Sequence, residues 1–192
     1  MLHRIFIAIN LPSDIKMRLS EFQDKWPELP ARWTKRDSLH ITLSFIGAVA
    51  DDKLVEICDI ARNISIKYDP VAIKLEQICY GPTKKMPPRM IWAIGAKSEI
   101  LGKIVKDLEN SLLFLSNESE PDFKSKNYIP HITLARIKQW EWRRIEPEEI
   151  PEMNEEINLN FEAQSIDVME SFLKKDGPQY LALESLPIKS NN

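Results

Sequence analysis

The tetrapeptide His-Ile-Thr-Leu occurs twice in this chain, at residues 40–43 and 131–134. Two of the three histidines in the 192-residue sequence open these copies. Histidine titrates near neutral pH, so one imidazole can act as a base while another acts as an acid. Threonine hydroxyls can hold the non-bridging oxygens of a phosphate in the transition state. The pair of motifs therefore suits in-line displacement at a phosphodiester, and that chemistry requires no metal.

The spacing within each motif indicates how the four polar side chains are presented. Alternate residues of a strand share a face, so His40 and Thr42 point one way, as do His131 and Thr133. The intervening isoleucine and leucine then face the core. Packing of two such strands about a pseudo-twofold axis would bring both polar pairs into one groove. Arg136 would leave this face in a regular strand, but it could reach the phosphate if the strand bulges or ends there.

Hydrophobic periodicity gives the elements that must position these residues. Amphipathic stripes predict three helices, at 12–26, 51–65 and 98–115. Short apolar or alternating runs predict seven strands, at 4–9, 39–47, 71–80, 89–96, 128–137, 161–172 and 179–187. The charged segment 138–156 gives no clear signal for either type of element.

The order strand, helix, HITL strand occurs twice. RIFIAI begins at residue 4 and RMIWAI at residue 89, and each precedes a helix that opens with Ser-Asp-Ile or Ser-Glu-Ile. Convergence of common strand and helix sequences is the alternative explanation, but the ordered series favours a duplication. We expect one domain over residues 1–192, with internal repeats at about 1–80 and about 89–172 and a C-terminal strand that completes the sheets.

Composition limits the classes of protein and partner. The chain is 43% hydrophobic and 29% charged, with a formal net charge of −3, which is typical of a soluble globular domain rather than a non-specific nucleic-acid coat. The apolar N-terminal run is shorter than the core of a signal peptide. We expect a cytoplasmic monomer without membrane contact, because the repeats already supply symmetry within one chain. Cys58 and Cys79 are interpreted as small apolar residues.

Four segments carry a resemblance to a known family: RIFIAINLP, SLHITLSFIGAV, HITLAR and ESFLKKDGPQYLAL. They resemble the 2H phosphoesterase superfamily, and within it the RNA 2′,3′-cyclic phosphodiesterases, also called 2′-5′ RNA ligases. The resemblance implies a two-lobed α+β fold in which antiparallel sheets line a central groove. It also implies hydrolysis of a 2′,3′-cyclic phosphate on RNA ends or nucleotides to a 2′-phosphate, without a metal, a cofactor or an obligate protein partner.

The resemblance also implies a role for each motif residue. His40 is the acid that protonates the departing 3′ oxygen, and His131 is the base that activates water. Thr42, Thr133 and Arg136 bind the phosphate. Ligation of 2′-5′ junctions is the reverse type of transfer, so the same groups could serve it.

Further candidates for RNA contact lie outside the motifs. Phe6 or Phe45 could stack on a base, although a core position is the stronger alternative for each. Arg89 and the lysines at 84–85 could contact RNA phosphates. Two other functions remain open: a non-catalytic RNA- or nucleotide-binding module of the same fold, and a phosphodiesterase for another small cyclic phosphate.

Overall fold

The computed structural model describes residues 1–82, 86–113, 128–174 and 177–189. Four helices lie in these ranges: α1 Ser13–Ser20, α2 Asp51–Ser65, α3 Glu99–Leu112 and α4 Gln139–Trp142. None of them is long and apolar enough to cross a membrane. Nine strands accompany them: β1 Leu2–Asn10, β2 Ala31–Trp33, β3 His40–Ala50, β4 Val71–Gly81, β5 Met90–Gly95, β6 His131–Ile137, β7 Asn154–Ala163, β8 Ser165–Lys174 and β9 Gly177–Pro187.

The strands form one sheet in the order β7-β4-β5-β6-β3-β1-β8-β9, and β2 pairs with the edge of β6. The pairings between described strands are antiparallel. The order is symmetric about the contact between β3 and β6, which are the two HITL strands. On the β6 side of this contact, β4 pairs with β5, although β4 follows β3 in the chain. On the β3 side, β8 pairs with β1. The α+β class is therefore confirmed, while the duplication itself stays our proposal.

The two faces of the sheet have different partners. On one face the apolar residues of β1, β3 and β6 join α1, α2 and α3 in the main core, which includes Ile7, Leu43 and Ile132. On the other face a small separate cluster joins Phe6 and Ala8 of β1 to Met169, with Tyr180 packed against it. His40 and Thr42 lie on this second face, because they alternate with the buried Ile41 and Leu43.

Several element predictions are confirmed and others are wrong. The predicted helix 51–65 is α2, and six of the seven predicted strands correspond to one strand each. The predicted strand 161–172 is instead divided between β7, which pairs with β4, and β8, which pairs with β1 and β9 in the other half of the sheet. The first helix is also shorter than expected, since a 3-10 turn over Glu21–Lys25 replaces its second half. The segment 138–156 contains α4 and the start of β7.

Candidate active site

Strands β3 and β6 meet at one residue pair, Ile41 with Ile132. Both isoleucines are fully buried in the main core, so the polar residues on either side of each project to the opposite face. His40, Thr42, His131 and Thr133 all line a single groove of about 640 Å³. The sequence-predicted meeting of the two motifs is therefore what the fold produces.

A β-bulge follows the threonine in each HITL strand. In β3, Ala8 pairs with Thr42 and Ile7 with Ser44, so Leu43 is an extra residue. In β6, Trp92 pairs with Thr133 and Ile91 with Ala135, so Leu134 is extra there. A bulge of this kind re-aims the residues that come after it.

The bulges bring the residue three positions after each motif threonine back towards the groove. Both strands show two consecutive buried residues and then an exposed one. The exposed residue is Phe45 in β3 and Arg136 in β6, and both line the groove. Arg136 therefore lies on the His-Thr face in spite of its odd spacing from Thr133. Phe45 occupies the corresponding position on the other side.

Both motif imidazoles are held in the same way. His40 Nδ1 donates to the carbonyl oxygen of Ser38 at 2.7 Å, and His131 Nδ1 donates to that of Ile129 at 3.2 Å. A carbonyl oxygen only accepts, so the proton of a neutral imidazole is on Nδ1 and the lone pair is on Nε2. Nε2 of His40 then accepts from the Thr42 hydroxyl at 3.1 Å. Each ring thus keeps Nε2 for chemistry in the groove.

Aromatic side chains pack against both imidazoles. The ring centroid of His40 lies 5.0 Å from that of Phe6 and 5.1 Å from that of Tyr180, which meets it edge to face. The His131 ring lies 4.3 Å from the Trp92 ring. These contacts fix the orientation of the rings and remove water from one side of each, which favours preorganised acid-base chemistry.

Burial lowers the pKa of both histidines. For His40, desolvation is the largest cause, and the positive charges of Lys16 and His131 lower the pKa further. The hydrogen bond to Ser38 opposes these effects. For His131, desolvation again lowers the pKa, against the hydrogen bond to Ile129. Both imidazoles are therefore more often neutral at a given pH than a free histidine would be.

The position of the Trp92 ring depends on Gly81. A Cβ at residue 81 would lie 2.3 Å from Cδ2 of Trp92, so the ring must move if the glycine is replaced. We expect Gly81→Ala to lower the free energy of unfolding by about 1–3 kcal/mol through overpacking. It will also lower turnover, because Trp92 supports His131. Thermal unfolding and steady-state kinetics measure the two effects. Gly102→Ala, inside α3, is the matched control, and unchanged stability and turnover in Gly81→Ala would refute the dependence.

The remaining candidates divide between the groove and other surfaces. Phe6 and Phe45 line the groove; Phe6 is buried, whereas Phe45 is 63% exposed. Arg89 does not line the groove, and its contact with RNA stays a prediction. Arg89 stands just before β5, where its backbone pairs with Gly81 and Ile137. The lysines at 84–85 lie outside the described residues.

His3 also lies outside the groove. Its ring bridges two carboxylates, with Nδ1 2.7 Å from Glu170 and Nε2 2.6 Å from Asp51. These hydrogen bonds raise its pKa. His3 therefore connects β8 and α2 and takes no part in the groove.

The groove residues missed from the sequence include Arg4, Arg32, Lys35 and Tyr180. No local motif marks them, and they come from β1, β2, the turn after β2, and β9. Arg4 and Tyr180 stand in segments that carry the family resemblance, which is the only sequence signal that could have drawn attention to them.

The described residues contain no group of three or more His, Cys, Asp and Glu side chains arranged to hold a metal ion. Cys58 and Cys79 are both half-buried free thiols. Burial raises the pKa of Cys58 to about 11 and also raises that of Cys79, so both thiols are poor nucleophiles at neutral pH.

Comparison with known proteins places this chain in a family. The RNA 2′,3′-cyclic phosphodiesterase of Methanocaldococcus jannaschii is 31% identical over 177 residues, which cover 92% of this chain and 96% of the relative. A sequence model described as LigT-like phosphoesterase matches residues 9–92. The chain belongs to the LigT-like phosphoesterase family. Another member of the family, the RNA 2′,3′-cyclic phosphodiesterase of Thermotoga maritima, is 27% identical over 186 residues, covering 94% of this chain and 92% of the relative.

Solved structures of this family share the fold. A crystal structure from Thermus thermophilus has a TM-score of 0.82 at 25% identity, covering 98% of this chain and all of that chain. Escherichia coli LigT complexed with 3′-AMP has a TM-score of 0.75 at 21% identity, covering 99% of this chain and all of that chain. Recognition of the 2H phosphoesterase superfamily from the sequence is therefore confirmed.

Proposed function

We propose that this protein hydrolyses the 2′,3′-cyclic phosphate of RNA ends or nucleotides to a 2′-phosphate by two-histidine catalysis without a metal. One observation carries the proposal: both imidazoles have Nδ1 bound to a backbone carbonyl and face one groove with the two motif threonines. The names of the family relatives, RNA 2′,3′-cyclic phosphodiesterases, support the choice of substrate.

Each step of the reaction uses a named group. Nε2 of His131 removes a proton from water, and the water oxygen forms a bond to phosphorus. The bond from phosphorus to the 3′ oxygen breaks, and a protonated His40 supplies the proton that the 3′ oxygen takes up. Thr42, Thr133 and Arg136 donate hydrogen bonds to the non-bridging oxygens, where transition-state charge is greatest.

The same groups can serve ligation. If the 5′ hydroxyl of a second RNA replaces water, its attack on phosphorus gives a 2′-5′ phosphodiester and the same 3′ hydroxyl. Incubation with an excess of RNA that has a free 5′ hydroxyl, followed by isolation of joined product, tests this extension.

The direct test of the function is a product assay. The purified protein is incubated with EDTA and a short RNA that ends in a 2′,3′-cyclic phosphate. We expect complete conversion to the 2′-phosphate at a rate independent of EDTA. Binding without turnover would favour the non-catalytic module instead. Turnover of other small cyclic phosphates but not of the RNA would point to the third function.

The pH dependence of catalysis follows from the lowered pKa values of the histidines. The rate falls on the acid side when the base becomes protonated, and on the alkaline side when the acid loses its proton. Because burial lowers both pKa values from 6.5, we expect a bell-shaped profile of kcat/KM with its maximum below about pH 6.5. A bound phosphate anion favours the protonated acid, so the maximum of kcat will lie at higher pH. A flat kcat/KM between pH 5 and 8 would contradict the two-histidine mechanism.

A further inference from the structure

The groove carries more positive charge than a cyclic phosphate requires. Four cationic side chains line it, namely Arg4, Arg32, Lys35 and Arg136, and no described aspartate or glutamate does. The chain as a whole has a net charge of −3. In the described part of the chain, the arginines that pair with carboxylates are Arg36 and Arg62, and neither lines the groove. A cyclic phosphodiester has one negative charge, which Arg136 alone can balance.

Arg32 is held beside Arg136 and also reaches across the groove. The two arginines are direct partners in the pairing of β2 with β6, and like charges in that relation destabilise a sheet unless an anion lies between them or nearby. A Cβ at Gly177 would lie 3.5 Å from Cζ of Arg32, so the guanidinium packs against the start of β9. This contact brings β2 next to the hairpin that carries Tyr180.

Tyr180 lies in the groove together with Arg4, Arg32 and Arg136. Burial raises the pKa of its hydroxyl, and the positive charges of Arg136, Arg32 and Arg4 each lower it in part. Its ring packs against His40 on one side. Arg4, Arg32 and Arg136 line the same groove as Tyr180, so the positive charge of the groove is not confined to the motif residue Arg136.

Arg4 lies beyond the aromatic residues of β1 and β3. It shares a face with Phe6 and is two residues away, which is about 7 Å along a strand. Phe6 pairs with Phe45 of β3, which is largely exposed. Aromatic rings followed by a cation are the arrangement by which proteins bind single-stranded nucleic acid, with bases stacked on the rings and phosphates held by the cations.

We propose that Arg4 and Arg32 form a second anion subsite, which binds the phosphate on the 5′ oxygen of the nucleotide whose cyclic phosphate is cleaved. This inference rests on the proposed function. The ligand is a 5′-phosphate monoester or the diester that joins the terminal nucleotide to the preceding one. In either case the groove reads two phosphates of one nucleotide at the same time.

The test compares three substrates in each variant of the 192-residue chain. They are adenosine 2′,3′-cyclic phosphate, its 5′-phosphorylated form, and the dinucleotide ApA with a terminal cyclic phosphate. We expect the wild-type kcat/KM to be about tenfold higher when the 5′ oxygen carries a phosphate, the effect of one charge-assisted hydrogen bond. Arg4→Gln and Arg32→Gln will each reduce this ratio, and the double variant will bring it close to one. Arg89→Gln, outside the groove, will keep it.

The three substrates distinguish the two possible sources of the bound phosphate. They also separate failure of the subsite from failure of the proposed function. A gain for the dinucleotide alone assigns the subsite to an internucleotide diester, and a gain for both assigns it to either kind of phosphate. Equal kcat/KM for all three substrates, or a ratio that survives in the double variant, would overturn the subsite but leave the proposed function intact.

If no substrate is hydrolysed, the proposed function fails, and the subsite is tested by binding. Calorimetry then compares adenosine 2′-phosphate with adenosine 2′,5′-bisphosphate. Tighter binding of the bisphosphate in the wild type but not in the double variant supports the subsite, and equal binding in the wild type overturns it.

Discussion

His40→Ala and His131→Ala will each lower kcat by about 10²–10⁴-fold, which is the range expected when a general acid or base is lost. The fold will survive, because both rings face the groove and give up one hydrogen bond to a carbonyl. Steady-state kinetics with an RNA cyclic phosphate and thermal unfolding measure the two effects. His3→Ala is the matched control, since His3 lies outside the groove and is expected to leave kcat unchanged. Turnover close to wild type in either motif variant would refute the mechanism.

A substrate with sulfur in place of the 3′ oxygen separates the two roles. A thiol has a pKa of about 8.5, so a thiolate leaves without help from an acid. We expect the sulfur substrate to restore most of the activity of His40→Ala and little of the activity of His131→Ala. Rescue of the His131 variant instead would reverse the assignment of acid and base.

Arg136→Ala will lower kcat/KM by about 10–100-fold, because one or more charge-assisted hydrogen bonds to the phosphate are lost. Arg136→Lys will recover only part of this loss, since an ammonium keeps the charge but cannot bind two oxygens in the planar, bidentate way of a guanidinium. Kinetics under conditions that limit kcat/KM measure the change. Arg89→Ala is the control of the same residue type outside the groove. An Arg136→Ala variant with wild-type kcat/KM would remove Arg136 from the phosphate site.

The sequence was sufficient for the part of the site that is local in the chain. Alternation along a strand places His40 and Thr42 on one face without knowledge of the fold, and the second copy of the motif supplies the partner pair. The side on which Arg136 lies could not be decided in this way. That depends on Leu134 being an extra residue against β5, and a bulge of one residue leaves no signal in composition or periodicity.

The groove residues of other strands could not be predicted from the sequence, because their positions depend on strand register and strand order. Matching RIFIAI with RMIWAI makes Arg4 and Arg89 equivalent, yet the register equates Ala8 with Trp92, one residue away from that match. The consequence is that Arg4 lines the groove and Arg89 does not. Tyr180 enters the groove because β8 and β9 join β1, although they are its most distant segments in the chain.

The paired bulges present unlike side chains at matching positions of β3 and β6. These are a phenyl ring at Phe45 and a guanidinium at Arg136. A perfectly twofold cleft would accept a nucleotide in either of two opposite directions with equal ease. On the proposed mechanism, the flat apolar surface at one end and the cation at the other set the direction in which a nucleotide enters. On the proposed mechanism, substrate polarity in this scaffold is therefore open to change at Phe45, whereas Arg136 also binds the phosphate.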